Sequence, residues 1–154
     1  MKFGILCLVL VSLCFSSCSK SPACWGKDKE EGIIEQSPTI ECWPAEPQAA
    51  YSITTQARLE SVFDIENQEP LCELPTIDFE TESLLGLFTT GECETKYIRS
   101  VEESAPDKSI TYKVTIKSCG NCDYLDSTYN WVVIPKIPSD YTVKFETITN
   151  SSLL

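Results

Sequence analysis

The chain has 154 residues, of which 42% are hydrophobic and 10% aromatic, a composition typical of one globular domain and not of a chain disordered throughout. Twelve Lys and Arg against 23 Asp and Glu give a net charge of −11, which argues against a nucleic-acid-binding surface. The sequence contains no histidine, and this excludes Ser-His-Asp and Cys-His catalysis and every metal site that depends on imidazole.

Residues 1–17 have the pattern of a signal peptide. Lys2 supplies a positive charge, and the apolar run FGILCLVLVSL extends from Phe3 to Leu13. At about 1.5 Å per helical residue, this run is far shorter than the roughly 30 Å hydrocarbon core of a bilayer. The pattern therefore predicts a cleaved export signal rather than a permanent membrane span.

The residues that follow the apolar run include Ser16, Ser17 and Cys18. Small residues directly before a cysteine resemble the lipobox of bacterial lipoproteins, whose signal peptidase cuts before a cysteine that carries diacylglycerol. The resemblance implies that the mature chain begins at Cys18, with covalent lipid there and no other cofactor. Two or more acyl chains anchor a protein stably to a membrane. Because Ser19 is not aspartate, the family's sorting rule implies the outer membrane; an ordinary secretory signal is the alternative.

Residues 18–38 are predicted to form the lipidated cysteine and a polar tether. Their periodicity is broken by Pro22, Gly26, Gly32 and Pro38. Residues 18–107 carry six Lys and Arg against 19 Asp and Glu, whereas residues 108–154 carry five against four. The acidic half favours solubility, and since it lacks an Asp-x-Asp-x-Asp-Gly loop, no metal site is predicted.

Residues 39–150 are predicted to form a β-rich globular domain. In Ser109–Ser118, Ile, Tyr and Val residues alternate with Thr and Lys, a pattern typical of a half-buried strand. Tyr129–Ile134 is nearly all apolar, which favours a central strand ended by Pro135. Weaker patterns predict further strands at Pro47–Thr54, Thr76–Phe79, Leu84–Thr89, Thr95–Val101 and Tyr141–Phe145.

One segment has the period of a helix rather than that of a strand. Leu59, Val62 and Phe63 stand at i, i+3 and i+4, and Thr55 is placed to cap the N-terminus. This predicts a short amphipathic helix over residues 56–66. The fold class is therefore mainly β: a small antiparallel β-sandwich or open barrel with one short helix.

Six further cysteines are disulfide candidates in an exported protein: Cys24, Cys42, Cys72, Cys93, Cys119 and Cys122. Element order favours pairing Cys42 with Cys72, and Cys93 with one of the last two. Cys119 and Cys122 form a CxxC, but it follows a strand, and nearby Asp123 and Asp126 would raise a thiol pKa. Structural disulfides that staple the domain are thus preferred; a thiol redox centre and a zinc cluster are the alternatives.

A second resemblance covers residues 76–146. The motifs are Asp78-Phe79, Leu84-Leu85-Gly86, the Trp131–Lys136 sequence WVVIPK, and Val143-Lys144-Phe145. In this order they resemble small Bacteroidetes lipoproteins and, more distantly, the C-terminal domain of the protease complex inhibitor family (PrcB). Since these are mostly core-strand residues, the resemblance speaks to fold more than to function.

The sequence predicts a membrane-anchored, non-catalytic domain with a binding or envelope-support role and a protein partner that the pattern does not identify. One alternative is a protease-inhibitor-like domain that acts through an exposed loop, 89–95 or 118–128. The other alternative is a CxxC redox protein. Lysines on the C-terminal strands are candidates for a contact surface: Lys113, Lys117, Lys136 and Lys144.

Overall fold

The computed structural model describes residues 27–64, 73–92, 95–118 and 124–150. These segments contain seven strands and one α-helix. In chain order the elements are β1 (Lys29–Gly32), β2 (Ala50–Ile53), α1 (Gln56–Phe63), β3 (Glu82–Glu92), β4 (Lys96–Ser104), β5 (Ser109–Lys117), β6 (Leu125–Pro135) and β7 (Thr142–Asn150).

The strands form two sheets, a four-stranded sheet in the order β1-β4-β5-β7 and a three-stranded sheet in the order β2-β3-β6. The prediction of a mainly β, sandwich-like fold with one short helix is therefore confirmed. The three-stranded sheet is antiparallel throughout, whereas β1 pairs with β4 and β5 with β7 in parallel. Alternation within one strand does not reveal the direction of its partner, so the sequence does not indicate these two parallel pairs.

The inner faces of the two sheets enclose the main hydrophobic core. The fully buried residues of this core come from β3, β4, β5 and β6, and include Leu85, Val101, Tyr112, Val114, Val132 and Ile134. Every second residue of β5 contributes, which explains the strict alternation seen in its sequence. The intervening residues Thr111, Lys113, Thr115 and Lys117 are half-buried and form the outer face of the four-stranded sheet.

Helix α1 packs on the opposite face of the three-stranded sheet and forms a third layer. Its buried residues Leu59, Val62 and Phe63 share a second core cluster with Trp131 and Val133 of β6. Strand β6 is thus buried on both faces around residues 131–134, and this is why that stretch of sequence is apolar without alternation.

The helix begins where the sequence predicts and ends earlier. Thr55 is the N-cap, and its Oγ1 accepts a hydrogen bond of 3.2 Å from the backbone N of Arg58. Asp64 closes the helix in the left-handed conformation, with a φ of 45°. Of the last two residues of the predicted range, 65 and 66, the structure gives no description.

The strand predicted at Thr76–Phe79 is absent, and a turn takes its place. The carbonyl of Asp78 accepts hydrogen bonds from the backbone N of Thr81 and of Glu82, at 3.0 and 2.7 Å. The Asp78 carboxylate also accepts from the backbone N of Glu80, at 3.0 Å. Aspartate favours such turns because its side chain replaces the backbone partner that a strand would supply.

Part of the predicted tether belongs to the folded domain. Residues 29–32 form β1, and Gln36 makes a bridge to Val133 of β6, with Val133 N donating to Gln36 O at 2.8 Å. Ile33 and Ile34 pack against the core between the sheets. The chain therefore passes from one sheet to the other here, and the folded part begins earlier than residue 39.

Candidate functional site

The outer face of the three-stranded sheet is only partly covered. Helix α1 and Trp131 bury one end of it, around Leu84 and Val133. Towards the other end, the side chains of Phe88 and Tyr129 stand on the same face, because these residues are register partners two positions beyond Gly86 and Trp131. Both are only partly buried, and Trp43 lies against them with 51% of its surface exposed. We name Trp43, Phe88 and Tyr129 the outer aromatic face.

The three rings contact one another in edge-on or tilted geometry. Their centroids are 5.5 Å apart for Trp43 and Tyr129, 6.1 Å for Trp43 and Phe88, and 5.2 Å for Phe88 and Tyr129. Such pairs contribute roughly 0.5–1.5 kcal/mol each beyond simple area burial. Tyr129 also stacks on Trp131 at 5.4 Å, and Trp131 contacts Phe63 of α1 at the same distance. The rings of the outer aromatic face therefore pack, through Tyr129 and Trp131, against the buried core.

Two tyrosine hydroxyls hold the segment that carries Trp43 against the sheet. The Tyr129 hydroxyl donates to the backbone O of Gln48 at 2.8 Å. The Tyr51 hydroxyl donates to the backbone O of Glu46 and accepts from the backbone N of Gln48 at 2.9 Å. Burial, with a further effect of Tyr51, raises the pKa of Tyr129 to about 12, so this hydroxyl stays protonated and able to donate at neutral pH.

Beyond these rings the sheet surface is polar, then apolar again. Thr90 and Ser127 face each other with their hydroxyl oxygens 3.0 Å apart. Leu125, opposite Glu92 in the register, is 63% exposed, and its neighbour Tyr124 is 67% exposed. Four large hydrophobic residues are exposed in the described segments, and three of them are Trp43, Tyr124 and Leu125.

A shallow cleft of about 210 Å³ lies beside the outer aromatic face, between α1 and the chain that precedes β2. Arg58, Ser61 and Asp64 line its helix side, and Glu46, Gln48 and Tyr51 are among the residues on the other side. It is smaller than the roughly 300–1,000 Å³ of sites that enclose drug-sized ligands.

A cluster of polar side chains lies between the two sheets, away from the outer aromatic face. Arg99 on β4 donates from Nε to the Asn130 side-chain oxygen at 3.0 Å, and from its terminal nitrogen to the Asp28 carboxylate at 3.1 Å. The Asn130 amide in turn donates to Thr89 Oγ1 at 2.8 Å, and its backbone O accepts from the Tyr112 hydroxyl at 3.0 Å. Asn130 is fully buried, so these bonds join the two sheets internally. We assign this cluster a structural role.

The predicted cysteine sites are mostly outside the described residues. This holds for Cys18 and for the candidates Cys24, Cys72, Cys93, Cys119 and Cys122. Cys42 is described, and it is disulfide-bonded. The pairings themselves, and the redox and zinc alternatives for the CxxC, stay predictions.

The four lysines proposed as a contact surface do not lie together. Lys113, Lys117 and Lys144 project from the outer face of the four-stranded sheet, where Lys113 lies 3.8 Å from Glu146. Lys136 instead donates from Nζ to the backbone O of Thr54 at 2.5 Å and of Phe79 at 2.6 Å. It ties the chain beside β2 to the turn before β3, which corrects its assignment to a shared contact surface.

The two loops considered for protease inhibition are shorter than predicted. Residues 89–92 belong to β3, where Thr89 is buried, and residues 125–128 belong to β6. Gly91 allows the chain to turn towards the other sheet, since a Cβ there would lie 2.3 Å from Thr95 Oγ1. The strands extend this far because β3 and β6 pair at all eleven register positions between residues 82 and 92.

Sequence reasoning missed the outer aromatic face. Trp43 lies outside every predicted strand and helix, and the sequence predicts Phe88 and Tyr129 only as members of two strands. The signal was present in the alternation of Tyr129 with Trp131, which puts two large rings on one face of a strand. That Trp43 covers the end of this row follows only from the fold.

The described segments hold no group of three or more Asp, Glu, Cys or His side chains arranged to bind a metal ion. Within the same residues, no helix combines the length and the apolar composition that a bilayer span requires. Protein-family models, curated protein sequences and solved structures provide no match to this chain.

Proposed function

We propose that this chain is a lipid-anchored, non-catalytic binding domain of the bacterial cell envelope, attached through Cys18 to the outer membrane, and that it binds a protein partner on the outer aromatic face. The observation that carries the binding role is the half-exposed Trp43, supported by Phe88 and Tyr129 on a fully packed sheet. The anchoring role is supported by the order of Ser16, Ser17 and Cys18 after a short apolar run.

Rigid aromatic side chains are efficient contact residues. Tryptophan and tyrosine bring a large area into an interface while losing little side-chain entropy, and they dominate the binding energy of many interfaces. Here the rings are already held in place by the core and by the Tyr129–Gln48 hydrogen bond. A partner would therefore meet a surface that needs little ordering on association.

The charges around these rings favour a basic partner. Glu41 and Glu46 lie within three residues of Trp43 and are exposed. Glu92, at the far end of β3 and on the same face as Phe88, is exposed as well. An apolar centre with an acidic rim is complementary to a polypeptide surface that presents an apolar side chain among lysines or arginines.

The anchor is tested by the intact mass of the native protein extracted from membranes, measured with and without alkylation under non-reducing conditions. The proposal expects a chain that starts at Cys18, carries added acyl mass and exposes no reactive thiol. A matched Cys18→Ser variant is expected to lose the acyl mass and to leave the membrane fraction. An unlipidated wild-type chain would contradict the anchor, and two reactive thiols would favour the CxxC redox alternative.

The binding surface is tested with a photo-crosslinking residue in the full-length protein in its native membrane. Placed at Thr90, an exposed position on the same face as Phe88, the probe is expected to give one discrete adduct with another protein. The same probe at Glu102, exposed on the four-stranded sheet, serves as the position control.

The Trp43→Ala variant is expected to reduce the Thr90 adduct at least about tenfold, as truncation of a central aromatic contact does in other interfaces. Ile148→Ala removes an exposed apolar side chain of the other sheet and is expected to leave that adduct unchanged. An adduct that persists in Trp43→Ala protein of normal thermal stability would contradict the proposed surface while leaving the anchor unaffected.

A further inference from the structure

Strand β7 is the long open edge of the four-stranded sheet. It pairs with β5 at nine consecutive register positions, and no strand of the described segments pairs with its other side. An edge of this length offers a row of backbone groups to another strand. The row contains no proline and no bulge between residues 142 and 150.

The opposite edge of the same sheet is built differently. Strand β1 has only four residues, and Glu30, beside Arg99 in the register, places a carboxylate on the side that faces the other sheet. Short length and an inward charge are devices that prevent strand addition. On β7 the corresponding inward positions are Val143, Phe145 and Thr147, none of which is charged.

The hydrogen bonds of β7 show which of its backbone groups are free. Thr142 N donates to the backbone O of Lys108 at 2.9 Å, so Thr142 and every second residue after it point their backbone groups towards β5. The intervening residues Val143, Phe145 and Thr147 therefore direct their N–H and C=O groups to the open edge.

From this arrangement we infer that β7 pairs antiparallel with β7 of a second copy of the chain, with Phe145 on the two-fold axis. In this register Phe145 lies opposite Phe145 of the second copy, and each exchanges both backbone hydrogen bonds with the other. Val143 lies opposite Thr147 and bonds in the same way. The pairing is isologous and joins two four-stranded sheets into one of eight strands.

The charges of β7 select this register. Centred on Phe145, the pairing puts Lys144 opposite Glu146 of the second copy twice, on the exposed face of the sheet. A shift of the two-fold axis by one residue along the strand, to residue 144 or to residue 146, would instead pair Lys144 with Lys144 or Glu146 with Glu146. Opposite charges directly across two strands stabilise the pair, and like charges destabilise it.

In the described segments, the chain leaves this edge accessible. Strand β1, through which the N-terminal segment enters the domain, lies at the other edge of the sheet, three strand spacings or about 14 Å from β7. A membrane anchor on that segment would hold both copies in one plane and raise their effective concentration. The outer aromatic face belongs to the other sheet, so partner binding there and self-pairing through β7 are separate properties.

Charge reversal tests the register in the full-length protein, by sedimentation in detergent over a range of concentrations. Lys144→Glu and Glu146→Lys each place like charges opposite each other twice, and each is expected to raise the dimer dissociation constant about ten- to thirtyfold. The double variant Lys144→Glu/Glu146→Lys restores opposite charges and is expected to return within about threefold of the wild type. A wild type that stays monomeric, or a double variant as weak as the single ones, would overturn the inference.

A backbone variant tests the edge independently of charge. Thr147→Pro removes an N–H that points to the open edge and leaves the bonds to β5 in place, so the fold is expected to be retained and the dimer lost. Thr147→Val keeps the N–H and is the matched control, which is expected to dimerise. Dimers of Thr147→Pro with unchanged affinity would place the interface elsewhere and overturn the inference, even if the charge variants failed to fold.

Discussion

Gly86 and Trp131 face each other across strands β3 and β6, and the indole ring occupies the space that a side chain at position 86 would need. The two residues are direct register partners, and a Cβ built on Gly86 would lie 2.2 Å from Trp131 Cζ3. Glycine inside a strand usually weakens it, but here its bare backbone lets the largest side chain of the core lie close to the sheet. Trp131 in turn supports Tyr129 and the outer aromatic face.

We expect Gly86→Ala to destabilise the domain. The added methyl group would displace Trp131 from a site where it is 2% exposed, and overpacking of this kind lowers the free energy of unfolding by about 1–3 kcal/mol. Chemical denaturation followed by tryptophan fluorescence measures the change. Thr90→Ala, an exposed change in the same strand, is the control, and a Gly86→Ala protein as stable as that control would refute the prediction.

The bond between Arg99 and Asn130 leads to a second prediction. Asn130→Ala leaves the Arg99 Nε without its 3.0 Å acceptor in a side chain only 15% exposed. A buried charged donor that loses its partner lowers the free energy of unfolding by about 2–3 kcal/mol.

A double-mutant cycle separates this bond from other effects of the substitution. Arg99→Met keeps much of the side-chain volume and removes the charge, so adding Asn130→Ala to it should cost at least about 1 kcal/mol less than in the wild type. Additive losses, measured by urea denaturation of all four proteins, would show that the two side chains are not coupled.

The N-cap of the helix gives a third prediction. Thr55→Ala removes the acceptor for the backbone N of Arg58, and loss of such a cap lowers stability by about 1 kcal/mol. Because α1 covers Trp131 through Phe63, the loss should appear in the global unfolding transition. Thr55→Ser retains the hydroxyl and should restore most of the stability; equal losses for Ala and Ser would contradict the capping role.

A fourth prediction concerns the stability of the domain at alkaline pH. Burial raises the pKa of Tyr112 well above its ordinary value of 10.0, and burial raises that of Tyr129 to about 12. The unfolded chain therefore ionises these tyrosines first, so their contribution to stability is complete below pH 10 and is lost as the pH rises through about 12.

The measurement is the free energy of unfolding between pH 8 and pH 11. Wild-type stability is expected to fall above pH 10, and Tyr112→Phe and Tyr129→Phe should each flatten that fall. Both variants also lose a hydrogen bond, to the backbone O of Asn130 or of Gln48, so they should start from a lower value at pH 8. A slope unchanged from the wild type in both variants would contradict the prediction.

The success of the sequence-based strand assignments depends on which faces are buried. Strand β5 has one wet face, so its alternation is complete and its predicted bounds agree with the structure to one residue. Strand β6 is apolar only where α1 covers its outer face, and its first five residues are partly or wholly exposed. The predicted strand therefore began at Tyr129, and the structure begins it at Leu125.

The charged N-terminal segment illustrates the opposite case. The residues of β1 are KEEG, all exposed, and nothing in such a sequence indicates a strand. It forms one because it pairs with the edge of β4 at four consecutive register positions, from Ile98 to Val101. Partners so distant in sequence are not visible in local periodicity.

The sequence by itself determined the mainly β class, the helix with its Thr55 cap, and the alternating strand at the centre of the larger sheet, because each depends on the local spacing of apolar residues. Tertiary structure alone decided that Trp43 lies on Phe88 and Tyr129, that Lys136 ties two chain segments together, and that β7 stands at an open edge. These relationships join residues dozens of positions apart, and only the packing of the two sheets and the helix brings them into contact.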